Sequence, residues 1–148
     1  MERLNSILLI DDDEILLELN ARTIKEFNLV SEIITMNSAH KALVYLAERR
    51  KKWPEIIICD IEMPHMNGWQ FMDVYSTILD PFEEDPIICI HSNSTHESDL
   101  NEIERRANVN MYMTKPLNQE KVTQLFSYCF ESKNTQVKRN LGIVYVTS

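Results

Sequence analysis

The chain of 148 residues contains only two glycines, Gly68 and Gly142. Phosphate-cradling loops and dinucleotide fingerprints need two or more closely spaced glycines, so both are excluded. Any phosphate chemistry must then rest on charged side chains and a metal. Cysteine is also scarce. Cys59, Cys89 and Cys129 are odd in number and widely spaced, which gives neither a disulfide framework nor a metal clip. Cys59 and Cys89 lie inside apolar, strand-like runs and read as buried small hydrophobes in a reducing compartment. No apolar run approaches the roughly 18–20 residues that span a bilayer. The N-terminus, MERLNSILLIDDDE, lacks the charged, apolar and small-residue order of a signal peptide. The expectation is a cytoplasmic protein without membrane contact. Positive charge is in deficit, 15 Lys and Arg against 23 Asp and Glu, for a net charge of -8. A surface that acidic repels phosphate backbones and argues against nucleic-acid binding. His40, His65, His91 and His96 are scattered without ligand spacing and read as non-metal residues.

What is present suffices for one globular domain. Hydrophobic residues make up 44% and charged residues 26%, and the length permits a core without staples. Leu4 to Ile10 holds the run ILLI, a short strand buried on both faces. Ile15, Leu16, Leu19, Ile24 and Phe27 approximate helical period over Asp13 to Phe27, with acids crowding the start. Ser31 to Met36 is a second strand. Ser38 caps a helix from about Ala39 to Lys52 with a core stripe of Ala42, Leu43, Leu46 and Ala47. Arg49, Arg50, Lys51 and Lys52 read as its solvated C-terminus.

Pro54 introduces a third strand that ends at Asp60, and Glu62 to Gly68 is a loop. Trp69 to Leu79 is helical, with Phe71, Met72, Tyr75 and Leu79 at core spacing and Pro81 as the stop. Pro86 introduces the fourth strand. Ser94 or Thr95 caps a helix from about His96 to Ala107, and Asn110 to Thr114 is the fifth strand. Asn118 opens a last helix to about Glu131. Trp53 and Trp69, at element starts, read as packing residues. Residues 1–131 thus form the domain and 132–148 a tail, whose IVYV adds a strand, pairs with a partner edge or is disordered.

Five short apolar strands alternating with five helices mean an α/β fold with a parallel sheet, doubly wound because crossovers are right-handed. In such sheets the ligand sits beyond the carboxyl ends of the strands. Asp11 and Asp12 follow strand one, Asp60 ends strand three, His91 and Ser92 follow strand four, and Lys115 follows strand five. Three converging carboxylates repel one another and need a cation. Carboxylates and water are the ligands Mg2+ prefers, and it keeps positions open for phosphate oxygens. One carboxylate can then act as nucleophile toward phosphorus while Lys115 pairs with the anionic oxygens and a strand-four hydroxyl donates.

These residues make the chain similar to the receiver domain of two-component response regulators over roughly residues 4–131. The likeness rests on ILLIDDDE at 7–14, IIICDIEMPHMNG at 56–68, PIICIHS at 86–92 and MYMTKPL at 111–117. It implies a flavodoxin-like, five-stranded (βα)5 fold. It implies Asp60 as the phosphoacceptor, Asp12 as direct Mg2+ ligand, Asp11 as the acid holding metal-bound water, and Glu62 as a ligand through its backbone carbonyl. Lys115 matches the phosphate-pairing lysine, in a Lys-Pro bond often cis in the family, and Tyr112 the aromatic switch. The position after strand four is normally Thr or Ser. Counting from Pro86 places His91 there, with Ser92 next and preferred. The implied partners are a histidine kinase or phosphotransfer protein, and a downstream protein on the face of helix 4, strand 5 and helix 5. The competing readings are a haloacid-dehalogenase-type phosphohydrolase built on Asp11-Asp12-Asp13, a phosphorelay intermediate, and a pseudo-receiver that is never phosphorylated.

Overall fold

The computed structural model describes residues 3–48, 52–79, 84–94, 96–134 and 142–147. Strands β1 (Leu4–Ile10), β2 (Val30–Met36), β3 (Ile56–Cys59), β4 (Ile87–Ser92) and β5 (Met111–Thr114) alternate with helices α1 (Glu14–Lys25), α2 (Ala39–Glu48), α3 (Gly68–Ile78), α4 (Glu97–Arg105) and α5 (Gln119–Asn134). A sixth strand, β6 (Val144–Val146), follows. All strand pairs are parallel, in the order β2-β1-β3-β4-β5-β6. The expected doubly wound sheet therefore carries one strand more than the five expected.

Alternation of side chains explains why the central strands are apolar throughout. Leu8, Ile10, Ile57, Cys59, Ile88 and Ile90 point to one face and pack with Leu46, Phe71, Met72 and Tyr75 of α2 and α3. Ile7, Leu9, Ile56, Ile58, Cys89 and Met113 point to the other and pack with Leu17 and Ile24 of α1 and Val122, Leu125 and Phe126 of α5. A strand covered on both sides has no solvent face to carry polar residues.

Two helix stripes differ from expectation. On α1 the residues turned inward are Leu17, Asn20 and Ile24, whereas Ile15 is 75% exposed and Leu19 52%. The run EILLEL offers two overlapping apolar periods, and packing on β1 selects the one through Leu17. On α2 Ala39 replaces Ala47 in the buried stripe, and Ala47 faces solvent. Ser38 caps α2, its hydroxyl accepting from Lys41 N at 3.2 Å. The N-cap of α4 is His96, which makes no side-chain capping bond. Ser94 instead receives the His96 N–H at 3.3 Å, two residues upstream of the cap. Trp53 packs on the α2–α3 side and donates from its indole to Leu46 O at 2.9 Å. The expected roles of Arg49, Arg50, Lys51, Pro81 and Thr95 lie outside the described residues. Among the described residues no helix is long and apolar enough to cross a membrane.

β6 completes the β5 side of the sheet. Val144 N donates to Asn110 O at 3.0 Å, Val146 is buried against the α1–α5 core, and the ring of Tyr145 meets that of Tyr112 at 6.0 Å. Replacing Val146 with Asp buries an unpaired charge there, and the expected cost is about 2 kcal/mol. Hydrogen exchange should then accelerate at Val144 and along β5 while β1 and β3 keep their protection. Uniform loss of protection would show that β6 is not a separable edge.

Candidate functional site

The order of strand addition switches sides at β1, with β2 on one side and β3 on the other, and the carboxyl ends of β1 and β3 lie side by side there. That switch is where an open α/β sheet leaves a crevice. Asp60 N donates to Ile10 O at 3.0 Å, which seats Asp60 next to Asp11. Lys115 N donates to Ser92 O at 3.2 Å, which seats Lys115 at the end of β4. A cavity of about 430 Å3 opens there, lined by Asp11, Asp12, Asp13, Asp60, Glu62, Ser92, Asn93, Ser94, His96 and Lys115.

Asp11 and Asp60 are buried and Asp12 is exposed; one carboxylate oxygen from each lies within 4.8 Å of the others. Lys115 Nζ stands between two of them, 2.9 Å from Asp11 Oδ2 and 3.0 Å from Asp60 Oδ2. Three negative charges meet one positive charge. Asp11 Oδ1 accepts from Asp13 N at 2.9 Å, but buried Asp11 Oδ2 has the Lys115 charge beside it without a well-directed hydrogen bond. An all-oxygen cluster with surplus negative charge and an under-bonded buried oxygen fits a small hard cation. Asp13 does different work: its Oδ1 accepts from Leu16 N at 3.0 Å and caps α1.

Burial pushes the Asp60 carboxyl up most, the Lys115 ammonium pulls it back, and the Asp11 charge raises it again, leaving it at about 6 against an ordinary 3.8. The Lys115 ammonium is held above its usual value: burial works against the charge, and the contacts with Asp11 and Asp60 outweigh it.

The loop that carries Asp60 depends on a close approach. Gly68 N donates to Ile61 O at 2.8 Å, and a Cβ on Gly68 would come within 2.4 Å of Asp60 O. Asn67 closes the same turn as the α3 N-cap, in a capping box with Gln70. The Asn-Gly pair thus brings α3 directly against the backbone of Asp60.

Ser92 and His91 part company at the end of β4. Ser92 lines the cavity, and its hydroxyl accepts from Ser94 N at 3.0 Å. His91, within β4, is buried outside the cavity lining, and its Nε2 has no hydrogen-bond partner among the described residues. Burial lowers its imidazole most, and Lys115 and Lys121 lower it further, to about 3, so it is neutral. Tyr112 is buried, and its hydroxyl donates to Ser94 O at 2.7 Å. Ser94 Oγ bonds Asp99, whose other oxygen accepts from Trp69 Nε1 at 2.8 Å, and Arg106 lies 5.2 Å over the Trp69 ring. Ser94 was expected only as a helix cap, and Asn93, Asp99 and the polar role of Trp69 were not anticipated. Their pairing spans α3, α4 and β5, and no local spacing signals it.

Two outcomes follow from this geometry. Gly68→Ala forces the Asp60 backbone aside, with an expected cost of about 1–3 kcal/mol in chemical denaturation. With a chelator present, native Asp60 holds its proton to higher pH than in the unfolded chain. Ionisation then costs the fold nothing below pH 4 and the full amount, about 3 kcal/mol, above pH 6. Asp60→Asn should therefore be the more stable protein at pH 7.5, and its advantage should vanish as the pH falls from 6 to 4. A pH-independent difference would contradict the shift.

The response regulator receiver domain model matches residues 7–127. The chain is 24% identical over 127 residues to the two-component response regulator ARR12 of Arabidopsis thaliana, covering 86% of this chain and 20% of that protein. It is 27% identical over 84 residues to a protein-glutamate methylesterase/protein-glutamine glutaminase of Chromobacterium violaceum, covering 57% of this chain and 22% of that one. It thus spans about a fifth of the length of the curated relatives it matches. Among solved structures, a two-component response regulator from Cytophaga hutchinsonii superposes with a TM-score of 0.80 at 32% identity, over 88% of this chain and all of that one. One from Legionella pneumophila gives 0.73 at 25% identity, over 86% and 98%. The parallel sheet with an acidic crevice at its switch in strand order, and the matched 121 residues between 7 and 127, have one explanation: the chain belongs to the response regulator receiver domain family.

Proposed function

We propose that this receiver accepts a phosphoryl group on Asp60 from a histidine kinase or a phosphotransfer protein in the cytoplasm. The observation that carries the reading is Lys115 Nζ poised between Asp11 and Asp60, with three carboxylates gathered around it. Asp11, Asp12, Asp60 and the backbone carbonyl of Glu62 would hold Mg2+. When bound, the ion offsets the negative charge of the carboxylates and of the incoming phosphoryl oxygens.

The remaining work falls to the side chains. An Asp60 carboxylate oxygen forms the new bond to phosphorus. The bond from phosphorus to the donor breaks, and the leaving group keeps its electron pair and takes up a proton. Lys115 pairs with a phosphoryl oxygen once Asp60 turns from carboxylate to acyl phosphate. Ser92, whose hydroxyl lies at the cavity, donates to a second oxygen; His91, outside the lining, does not take that role. Transfer of this kind needs positioning and charge compensation more than covalent assistance. The receiver promotes only its own phosphorylation and hydrolysis.

Readout runs through the β4–α4 segment. Ser94 links Ser92 to the Tyr112 hydroxyl, so a shift of Ser92 toward a phosphoryl group disturbs the bond that holds Tyr112. The face of α4, β5 and α5, where β6 is paired along the β5 edge, then changes affinity for a downstream protein. A phosphorelay role uses the same first step. A haloacid-dehalogenase-type hydrolase loses its second Asp, because Asp13 is committed to capping α1.

Acetyl phosphate with Mg2+ should add one acid-labile phosphoryl group, read by intact mass. Asp60→Asn should abolish it, and chelation should suppress it. Labelling that survives in Asp60→Asn would sink the assignment, as would multiple turnover of a phosphate ester. Lys115→Ala should slow labelling by roughly tenfold to a hundredfold.

A further inference from the structure

Lys121 is a buried lysine without an acidic partner among the described residues. It lies in the first turn of α5, where its own N–H donates to the Asn118 cap at 2.8 Å, and it is 3% exposed. Among the described residues no carboxylate pairs with it. Its ammonium instead donates to Thr114 O at 2.7 Å, Thr114 Oγ1 at 3.0 Å and Pro116 O at 3.1 Å. All three protons of the ammonium are used.

Those three acceptors belong to the residues immediately before and after Lys115. Thr114 ends β5, and Pro116 starts the turn into α5. Between them Lys115 has one backbone tie, its N–H to Ser92 O, and its side chain reaches the two acids. A buried ammonium is costly unless its hydrogen bonds offset the loss of water. If the end of β5 only needed closing, a neutral side chain would do so at lower cost. Among the described residues the hydrogen bonds of the charged head all go to the backbone and hydroxyl that bracket Lys115.

We propose that Lys121 is a positioning residue for Lys115, clamping the chain on both sides of it so that the Lys115 amine reaches Asp11 and Asp60. The proposal rests on reading Lys115 as the group that pairs with the phosphoryl oxygens. Lys121 acts on that step through Lys115 and touches no reacting atom.

Two variants test it. Lys121→Met keeps the length of the stem and removes the donors. Thr114→Val removes one acceptor and leaves α5 untouched, so it serves if Lys121→Met does not fold. The first readout needs no phosphorylation: reductive methylation of Lys115, resolved by mass spectrometry, with exposed Lys25 as internal reference. Lys115 should react severalfold faster in Lys121→Met and to a lesser degree in Thr114→Val, while Lys25 is unchanged. The second readout is labelling of Asp60 by acetyl phosphate with Mg2+. Lys121→Met should slow it by roughly tenfold, the scale of a small misplacement of a reacting group. In a Lys115→Ala background the same substitution should slow it no further.

Unchanged Lys115 methylation in both variants overturns the proposal. So does a loss that multiplies in the double variant, which is the mark of general destabilisation. If the wild-type protein takes up no phosphoryl group, the Asp60 reading fails, and the methylation result still decides the role of Lys121.

Discussion

Charge imbalance at one sheet edge governs this molecule. Three carboxylates meet a single ammonium in a crevice where Asp11 and Asp60 are buried and Asp12 faces solvent. In that setting the Asp60 carboxyl is forced upward, while the Lys115 ammonium is held in its charged form. The sheet tolerates the strain because its strands are apolar on both faces and anchor the acids from behind. The crevice is thus an unbalanced site held by a rigid scaffold, which is the condition for binding a cation and an anionic group together.

The scaffold works through backbone bonds rather than through the acids themselves. Asp60 is registered to β1 by its bond to Ile10, and Lys115 to β4 by its bond to Ser92. Gly68 lets α3 press against the Asp60 carbonyl, and the Asn67–Gln70 box fixes where α3 begins. The end of β1 contributes two carboxylates, the end of β3 one and the end of β5 the ammonium, with main-chain ties fixing Asp60 and Lys115. A half-ångström shift in any of them changes a contact between charges, where the energy varies steeply with distance.

The far side of the crevice is connected to the β5 edge by a continuous polar path. Ser92 meets Ser94, Ser94 meets Tyr112 and Asp99, and Asp99 meets Trp69. The Tyr112 ring in turn lies against Tyr145 on β6. Beyond β6, α4 and the strand flank a hollow of about 480 Å3 that includes Arg106, Ile143 and Tyr145. The sixth strand therefore sits on the edge that a five-stranded sheet would leave open, and it shares an aromatic contact with the residue nearest the crevice path.

The order of strands and helices, the parallel sheet and the convergence of Asp11, Asp12, Asp60 and Lys115 were legible in the sequence. Strands buried on both faces read as unbroken apolar runs, and residues that end such strands must lie at one edge. The choice between His91 and Ser92 was not legible, because adjacent residues on a strand face opposite sides and a shift of one residue exchanges them. In the packed sheet His91 is buried outside the cavity lining and Ser92 lines the cavity. The α1 stripe was ambiguous for a similar reason: Ile15, Leu16, Leu17 and Leu19 supply more apolar residues than one face can bury, and contact with β1 chooses Leu17. The sequence by itself determined which chemical groups meet. Tertiary structure alone decided how they are held: the burial that raises Asp60, the clamp of Lys121 around Lys115, the Trp69–Asp99–Ser94–Tyr112 path and the pairing of β6 with β5. These depend on distances between segments far apart in the chain, which local period and spacing do not encode.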